Sequence, residues 1–353
     1  RKTKGSFDRQ WPAAMILEMN SEYIISALII TLSVFVLTIL IENKLVPVLK
    51  AHKAAQIIYT EGPYWHEQTK AGTPTMGGLG FILATLVVMA VAFIMAWVRG
   101  ENKMLIPLAL TYGLAVMNGA IGYMDDYAKL IKKKNQGFKE YQKFILQVLI
   151  AVLYTVAMKK TGYLSDELLI PFAGTSVRLG WFYYVIIVVY ITGMVNSSNF
   201  TDGIDGLLSS VSIVIALFLI VSGMMLENKG LVMLSSALLG GVCGFLCFNY
   251  PPAKVFMGDT GSLFIGGAVA GAAVMTNQLI LILIASIIFV CETASVILQR
   301  CYFKLTHGKR IFKMAPIHHH FEMCGWKEKK IDLVFSAVTL VFCIVAGIGI
   351  WLA

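Results

Sequence analysis

GAIGYMDDYAKLIKKKNQGFKEYQK, residues 119–143, is the point at which this chain changes character. An apolar run of about twenty residues, long enough to cross a bilayer, leads into it. Two aspartates, Asp125 and Asp126, then stand side by side, and six lysines follow them. Read as the end of a membrane span opening into a charged loop, the stretch raises one question. Paired carboxylates at such a depth need a reason.

Composition supports the span. Of 353 residues 58% are hydrophobic and 14% charged, whereas soluble domains carry about 25% charged residues. A chain with mean hydropathy +0.75 has too little charge to coat a water-facing surface, so it reads as an all-α integral membrane protein. Its net charge of +9 lies in short loops between apolar runs. That placement fits anionic lipid or phosphate, and nucleic acid is set aside as a partner. The cysteines Cys243, Cys247, Cys291, Cys301, Cys324 and Cys343 show neither zinc spacing nor a disulfide framework.

Apolar runs of span length occur ten times, at 23–41, 76–98, 104–124, 144–158, 181–198, 207–226, 231–248, 262–277, 279–298 and 331–352. Only Asn277 and Gln278 separate the eighth from the ninth. Residues 23–353 read as one polytopic domain. Residues 1–22, opening RKTKGSFDRQWPAA, read as a tail that is partly vector-derived, with Met15 or Met19 as the natural start. With ten spans, the loops 42–75, 125–143, 199–206, 249–261 and 299–330 share a side and carry nineteen Lys and Arg, against six in the alternate loops. The positive-inside rule puts the richer set in the cytoplasm and both termini outside.

Every unusual polar motif falls in the cytoplasmic set. These are Lys70 with TPTMGG (73–78), Asp125-Asp126, NFTDGIDG (199–206), NYPPAKVFMGDTGS (249–262) and MAPIHHHFE (314–322). Any one aspartate at a membrane boundary is ordinarily a solvated helix end, and Asp202 before an apolar run suits an N-cap. Five on one face, Asp125, Asp126, Asp202, Asp205 and Asp259, would repel each other without a cation among them. Magnesium suits them, because it takes one or two carboxylates and fills its other positions with water and substrate phosphates. Neighbours on a helix point about 100° apart, so Asp125 and Asp126 are expected to play unequal roles, which of them faces the site being left open. Asp202 and Asp205 can share a face, with Gly203 allowing close approach of a ligand. A calcium loop is excluded by spacing and by the missing terminal Glu.

The basic residues point to an anionic substrate. Most of the lysines set topology; Lys70 and Lys129, nearest the polar motifs, are the candidate ligand contacts. Thr75 and the glycines after it can present backbone N–H groups to phosphate, although a Gly pair at a span entrance serves packing equally well. His318, His319 and His320 are consecutive, so they cannot all bind one metal from a regular backbone. In a loop facing the aspartates they are read as hydrogen-bonding to phosphate or sugar.

The motifs GTPTMGG, GYMDDYAK, NFTDGIDGL, VFMGDTGSL and MAPIHHHFE together resemble the phospho-N-acetylmuramoyl-pentapeptide transferase (MraY) family, over the chain from about Tyr23 onward. The three histidines after Ala315-Pro316 set this family apart from relatives that transfer N-acetylglucosamine phosphate. The resemblance implies a multi-pass enzyme of the bacterial inner membrane. Its reaction would be UDP-N-acetylmuramoyl-pentapeptide plus undecaprenyl phosphate giving lipid I and UMP, with Mg²⁺. It implies Asp259 as the metal ligand, and Asp125, with Asp126 beside it, as base or positioning group for the acceptor phosphate. Lys70, Thr75, Asn199, Asp202, Gly203, Asp205, Asn249 and Phe256 would face the nucleotide, Phe256 stacking on uracil. Ser262, Gln299, His318 and His319 would line a groove toward the diphosphate and sugar. A homodimer is implied as well. A single in-line displacement and a covalent phospho-aspartate both remain open. Two other classes compete. A transporter would hold its ionisable groups near the bilayer midplane, where this sequence offers essentially Glu292. An intramembrane aspartyl protease would need a glycine where Phe256 stands in FMGD.

Overall fold

The computed structural model describes residues 13–51, 70, 72–132 and 137–352. Tail residues 1–12 and the lysines at 133 and 134 lie outside them. Twelve helices are described: α1 (Ala13–Ala51), α2 (Gly78–Val98), α3 (Asn102–Lys132), α4 (Glu140–Lys160), α5 (Trp181–Thr201), α6 (Leu207–Met225), α7 (Lys229–Asn249), α8 (Gly258–Met275), α9 (Leu279–Ala285), α10 (Ile287–Leu305), α11 (Ile317–Met323) and α12 (Glu328–Leu352). A short antiparallel hairpin, β1 (Glu167–Ile170) and β2 (Thr175–Arg178), departs from the all-helical expectation, with Glu167 opposite Arg178 and Ile170 opposite Thr175.

Among the described residues nine helices are long and apolar enough to cross a membrane, and ten crossings result if α9 and α10, bent by 81° at their junction, count as one span. Nine of the ten expected spans have such a helix, and the expected ninth, 279–298, is a bent pair rather than one continuous helix. The break falls at Ser286, which closes α9 and opens α10 at φ −94° and ψ 30°. Kinks usually come from Pro or Gly, and the local sequence IASIIF has neither, so nothing in it announced the bend. Two boundaries also move. α1 runs ten residues beyond the expected span, and α3 continues through Asp125 and Asp126 to Lys132. The aspartate pair lies inside a helix, not at its end.

At the centre stand α7 and α8, the most deeply buried of the long apolar helices, whereas most of α1 faces outward. Helices gain no hydrophobic advantage by meeting one another inside lipid, so close approach depends on small residues. The α8 sequence GDTGSLFIGGAVAGAAVM supplies them. A Cβ on Gly266 would lie 2.6 Å from Val195 Cα of α5, and one on Gly271 2.6 Å from Thr111 Cγ2 of α3. Around this pair α3 runs along α8, α1 and α6 along α7, α5 against α8 and α12 against α6.

Side-chain contacts divide the bundle into two ends. At one, Lys229 bridges Glu22 and Glu101 at 2.7 and 2.6 Å, and Asn277 donates to the Glu167 carbonyl at 3.2 Å. Near the C-terminus, a Cβ on Gly349 would lie 3.0 Å from the Phe172 ring of the hairpin turn. At the other end, Lys70 meets Asp205 and Glu328, and Lys129 meets Asp125 and Asp259. α1, which begins near Lys229, thus runs toward the second end and α12, which begins at Glu328, runs away from it, so both termini lie at the first end, as an even number of crossings requires. A cysteine placed at Ser165 is expected to react with an impermeant maleimide added outside intact cells, while the native Cys324 does not. Outside labelling of Cys324 would put the histidine segment on the wrong side.

Candidate active site

The second end of the bundle gathers all five polar motifs. Asp259 sits in the first turn of α8, where the helix dipole favours a carboxylate. Its Oδ1 accepts from Asn199 Nδ2 at 2.8 Å, and the same amide reaches Ser262 Oγ at 2.8 Å. Its Oδ2 lies 2.6 Å from Lys143 Nζ and 3.2 Å from Lys129 Nζ. Lys129 also stands 2.7 Å from Asp125 Oδ2 and 3.8 Å from Asp126 Oδ1. Carboxylate oxygens of Asp125, Asp126 and Asp259 all lie within 4.8 Å of one another. They form one cradle.

The two neighbouring aspartates do diverge within it. Asp126 Oδ2 accepts from Thr260 N at 2.9 Å and from Thr260 Oγ1 at 2.7 Å, tying α3 to the start of α8. Asp125, equally buried, takes a different partner, its Oδ1 accepting from Phe138 N at 2.6 Å. Asp126 is therefore braced by protein on one oxygen, while Asp125 is held by an ammonium and one backbone N–H of the loop before α4.

A second charged group lies beside the first. Lys70 Nζ is 2.7 Å from Asp205 Oδ1 and 2.5 Å from Glu328 Oε1. Burial alone would lower the Lys70 pKa, but Glu328 and Asp205 carry it above the usual lysine value. Asp205 Oδ2 accepts from Ala253 N at 2.8 Å. Asp202, closing α5, has its carboxyl pushed up to about 8 by burial, with repulsion from Asp259, Asp126 and Asp205 adding to it. The segment 254–258 runs beside 74–78. Phe256 N donates to Pro74 O at 2.8 Å, and Gly77 N donates to Phe256 O at 2.9 Å. A Cβ on Gly258, at φ 73°, would fall 2.9 Å from Thr75 Oγ1 and 2.6 Å from Asp126 Oδ2. Thr75, Phe256 and the cradle are thereby neighbours.

Several expected residues occupy other situations. The histidines lie on the short helix α11, not in a loop, and each has a different partner. His318 is fully buried against Glu292, with Nδ1 3.0 Å from Glu292 Oε2. His319 Nδ1 lies 2.6 Å from Glu322, and His320 Nδ1 accepts from Lys313 N at 3.1 Å. His318 presses on Gly203, where any Cβ would overlap the imidazole Nε2 and Cε1. The two amides brace loops. Asn249 accepts from Gly206 N at 2.9 Å and donates to Val255 O at 3.0 Å. Gln299 accepts from Ile311 N and Phe312 N and donates to Phe312 O, each at 3.0 Å. Lys143, Thr260 and Glu328 were not singled out from the sequence, and Lys143 was counted only as a topology lysine. Nothing local distinguishes them, since α4, α8 and α12 bring them in from distant parts of the chain. All six cysteines are free thiols.

A multi-pass helical bundle with a carboxylate cradle and flanking lysines at one end suits a membrane-embedded transferase acting on phosphate esters, and the comparisons give that class. The family model described as glycosyl transferase family 4 matches residues 108–277, and phospho-N-acetylmuramoyl-pentapeptide-transferase signature 1 matches residues 70–82. A phospho-N-acetylmuramoyl-pentapeptide-transferase of Listeria monocytogenes is 42% identical over 312 residues, 88% of this chain and 94% of its own. That of Limosilactobacillus reuteri is 43% identical over 326 residues, 91% and 97% of the two chains. That of Clostridium botulinum is 40% identical over 337 residues, 95% and 99%. The chain belongs to the phospho-N-acetylmuramoyl-pentapeptide-transferase family. It is a multi-pass protein of the bacterial cell membrane.

Proposed function

We propose that the chain transfers phospho-N-acetylmuramoyl-pentapeptide from UDP-N-acetylmuramoyl-pentapeptide to undecaprenyl phosphate, forming lipid I and UMP for peptidoglycan synthesis. The observation that carries this reading is the position of the cradle. Asp125, Asp126 and Asp259 lie at one end of a lipid-embedded bundle, flanked by Lys129 and Lys143. A lipid phosphate at the bilayer surface and a water-soluble nucleotide sugar can meet there. We take that end as cytoplasmic and both termini as outside, from the charge asymmetry. Residues 23–353 form the catalytic domain in this reading, and two copies a homodimer.

Magnesium fits the residues present. The donors are hard carboxylate oxygens on three side chains. With every group ionised, three carboxylates against two ammonium groups leave the cradle one charge negative, which would repel a diphosphate. Asp259 is the proposed ligand, with Asp125 and Asp126 in reach, and a bound ion would supply charge neutralisation to phosphate oxygens. The chain's own residues do the rest. Lys129 and Lys143 draw phosphate oxygens, Asn199, itself braced by Ser262, holds Asp259 in its rotamer, and Asp125 places the acceptor phosphate. Lys70, Thr75, Asp202, Gly203, Asp205 and Phe256 form the proposed nucleotide-facing set, and His318 and His319 the sugar and diphosphate side. Asn249 and Gln299 would shape that groove through the loops they brace.

Purified protein should release UMP from UDP-N-acetylmuramoyl-pentapeptide only with both polyprenyl phosphate and Mg²⁺ present. Release from UDP-N-acetylglucosamine instead would favour the related N-acetylglucosamine transferases. No release from any UDP-sugar would return the chain to a binding or transport role, for which the buried Glu42 of α1 and Glu292 of α10 are candidate intramembrane acids. Phe256→Ala is expected to weaken UMP binding by roughly 1–3 kcal/mol, the scale of base–aromatic stacking, with Phe256→Trp retaining most of it. Equal UMP affinity in a folded Phe256→Ala protein would reduce this ring to packing.

A further inference from the structure

Glu292 is a carboxyl group on a membrane-spanning segment, with no solvent exposure. Acids in that setting are costly and tend to be kept for function. Its Oε2 meets His318 Nδ1 at 3.0 Å, and His318 is likewise fully buried. The opposite ring nitrogen, His318 Nε2, finds no hydrogen-bond partner among the described residues. An unsatisfied buried nitrogen costs about 1–3 kcal/mol, and a water or ligand atom usually repays that. Nε2 is directed at the Cα of Gly203, the one residue type that leaves it room. Gly203 is exposed and lies in the turn between Asp202 and Asp205. The nitrogen is therefore buried from inside the bundle and stops one glycine short of the site surface.

We propose that Glu292 is a positioning residue for His318. By accepting the Nδ1–H it fixes the plane of the ring, and its negative charge is the countercharge for the doubly protonated imidazolium, whose Nε2–H is then donated to a phosphate oxygen of the nucleotide-sugar donor. This rests on the reading that the donor lies along the Gly203 turn. The logic is that of a buried carboxylate behind an imidazole, where the acid never touches the substrate. The 81° break at Ser286 serves it, because Glu292 lies on α10, the segment turned by that bend, and it is from there that it meets α11. A continuous helix from 279 to 305 would direct this carboxylate elsewhere.

The test is a double-mutant cycle on the full-length protein in detergent, reading kcat, donor KM and thermal unfolding. Glu292→Gln retains shape and an acceptor oxygen but removes the charge. It should lower kcat about tenfold to a hundredfold, the usual effect of such outer groups, with donor KM changed less than about threefold and an unfolding midpoint close to wild type. In a His318→Ala background the same substitution should then change kcat by less than about twofold, because the ring it orients is gone. Independent, multiplying losses would make Glu292 a packing residue and overturn the proposal. So would unchanged kcat in Glu292→Gln while His318→Ala is impaired. Wild-type kcat in His318→Ala would instead overturn the reading of the donor site itself, and the positioning role with it.

Discussion

Asp259→Asn is expected to lower kcat by about 10²–10³-fold, the scale of removing one group that stabilises developing charge, and its residual activity should climb with added Mg²⁺. The substitution is clean in geometry. The carboxamide oxygen can still accept the 2.8 Å hydrogen bond from Asn199, so α5 and α8 keep their contact. What disappears is the negative charge facing Lys129 and Lys143 at 3.2 and 2.6 Å. Cation affinity falls with it, and mass action at high metal concentration restores part of the bound state. Asp125→Asn should be impaired without responding to metal. Its oxygens also meet Lys129 and the Phe138 backbone N–H, and a phosphate monoester with a second pKa of about 6 needs little help to ionise near neutrality. Placement of the acceptor is then the larger part of what Asp125 contributes. A Mg²⁺ titration of both variants, with UMP affinity measured alongside, decides the matter. Rescue of Asp125→Asn alone would exchange the two roles. Substantial activity without metal in both would remove magnesium from the reaction.

Gly122→Ala should be nearly as damaging without touching a charged group. Gly122 lies on α3, one turn before Asp126, and its Cα rests on the first turn of α8. An added Cβ would overlap the Asp259 carbonyl and stand 2.6 Å from Thr260 N. These are backbone atoms, so no rotamer change can relieve the clash and the two helices must separate. Overpacking of this kind costs about 1–3 kcal/mol. The loss in turnover should be larger, about 10²-fold, because a displacement near 1 Å is enough to spoil a reacting geometry. Thr260 N is also the donor that holds Asp126 Oδ2 at 2.9 Å, so one methyl group strains two of the three carboxylates. Gly113→Ala on the same helix is the control. A Cβ there has nothing within 4 Å, and its stability should stay within about 0.5 kcal/mol of wild type. Wild-type kinetics in Gly122→Ala would mean that α3 and α8 do not approach as closely as they do here.

The contrast between these two variants separates what was legible in the chain from what was not. Asp259 could be found from residue order alone. One carboxylate at a bilayer boundary means little, but the alternation of spans puts five polar motifs on one side, and five carboxylates there call for a cation among them. Span number, the two ends of the bundle and the candidacy of Asp125, Asp126, Asp259, Lys70 and Lys129 follow from hydropathy and charge, which are properties of consecutive residues. Gly122 could not be found that way. One glycine among 31 matters here because of which backbone lies opposite, and helix partners are chosen by shape over distances that local sequence does not encode. Lys143 reaching Asp259, Thr260 reaching Asp126 and Glu328 reaching Lys70 belong to the same class, as does the bend at Ser286, which no proline or glycine marks. The histidines show the division within one motif. Three in a row were visible as unusual, yet only packing decided that His318 turns inward to Glu292 and His319 to Glu322, because consecutive residues on a helix face different neighbours.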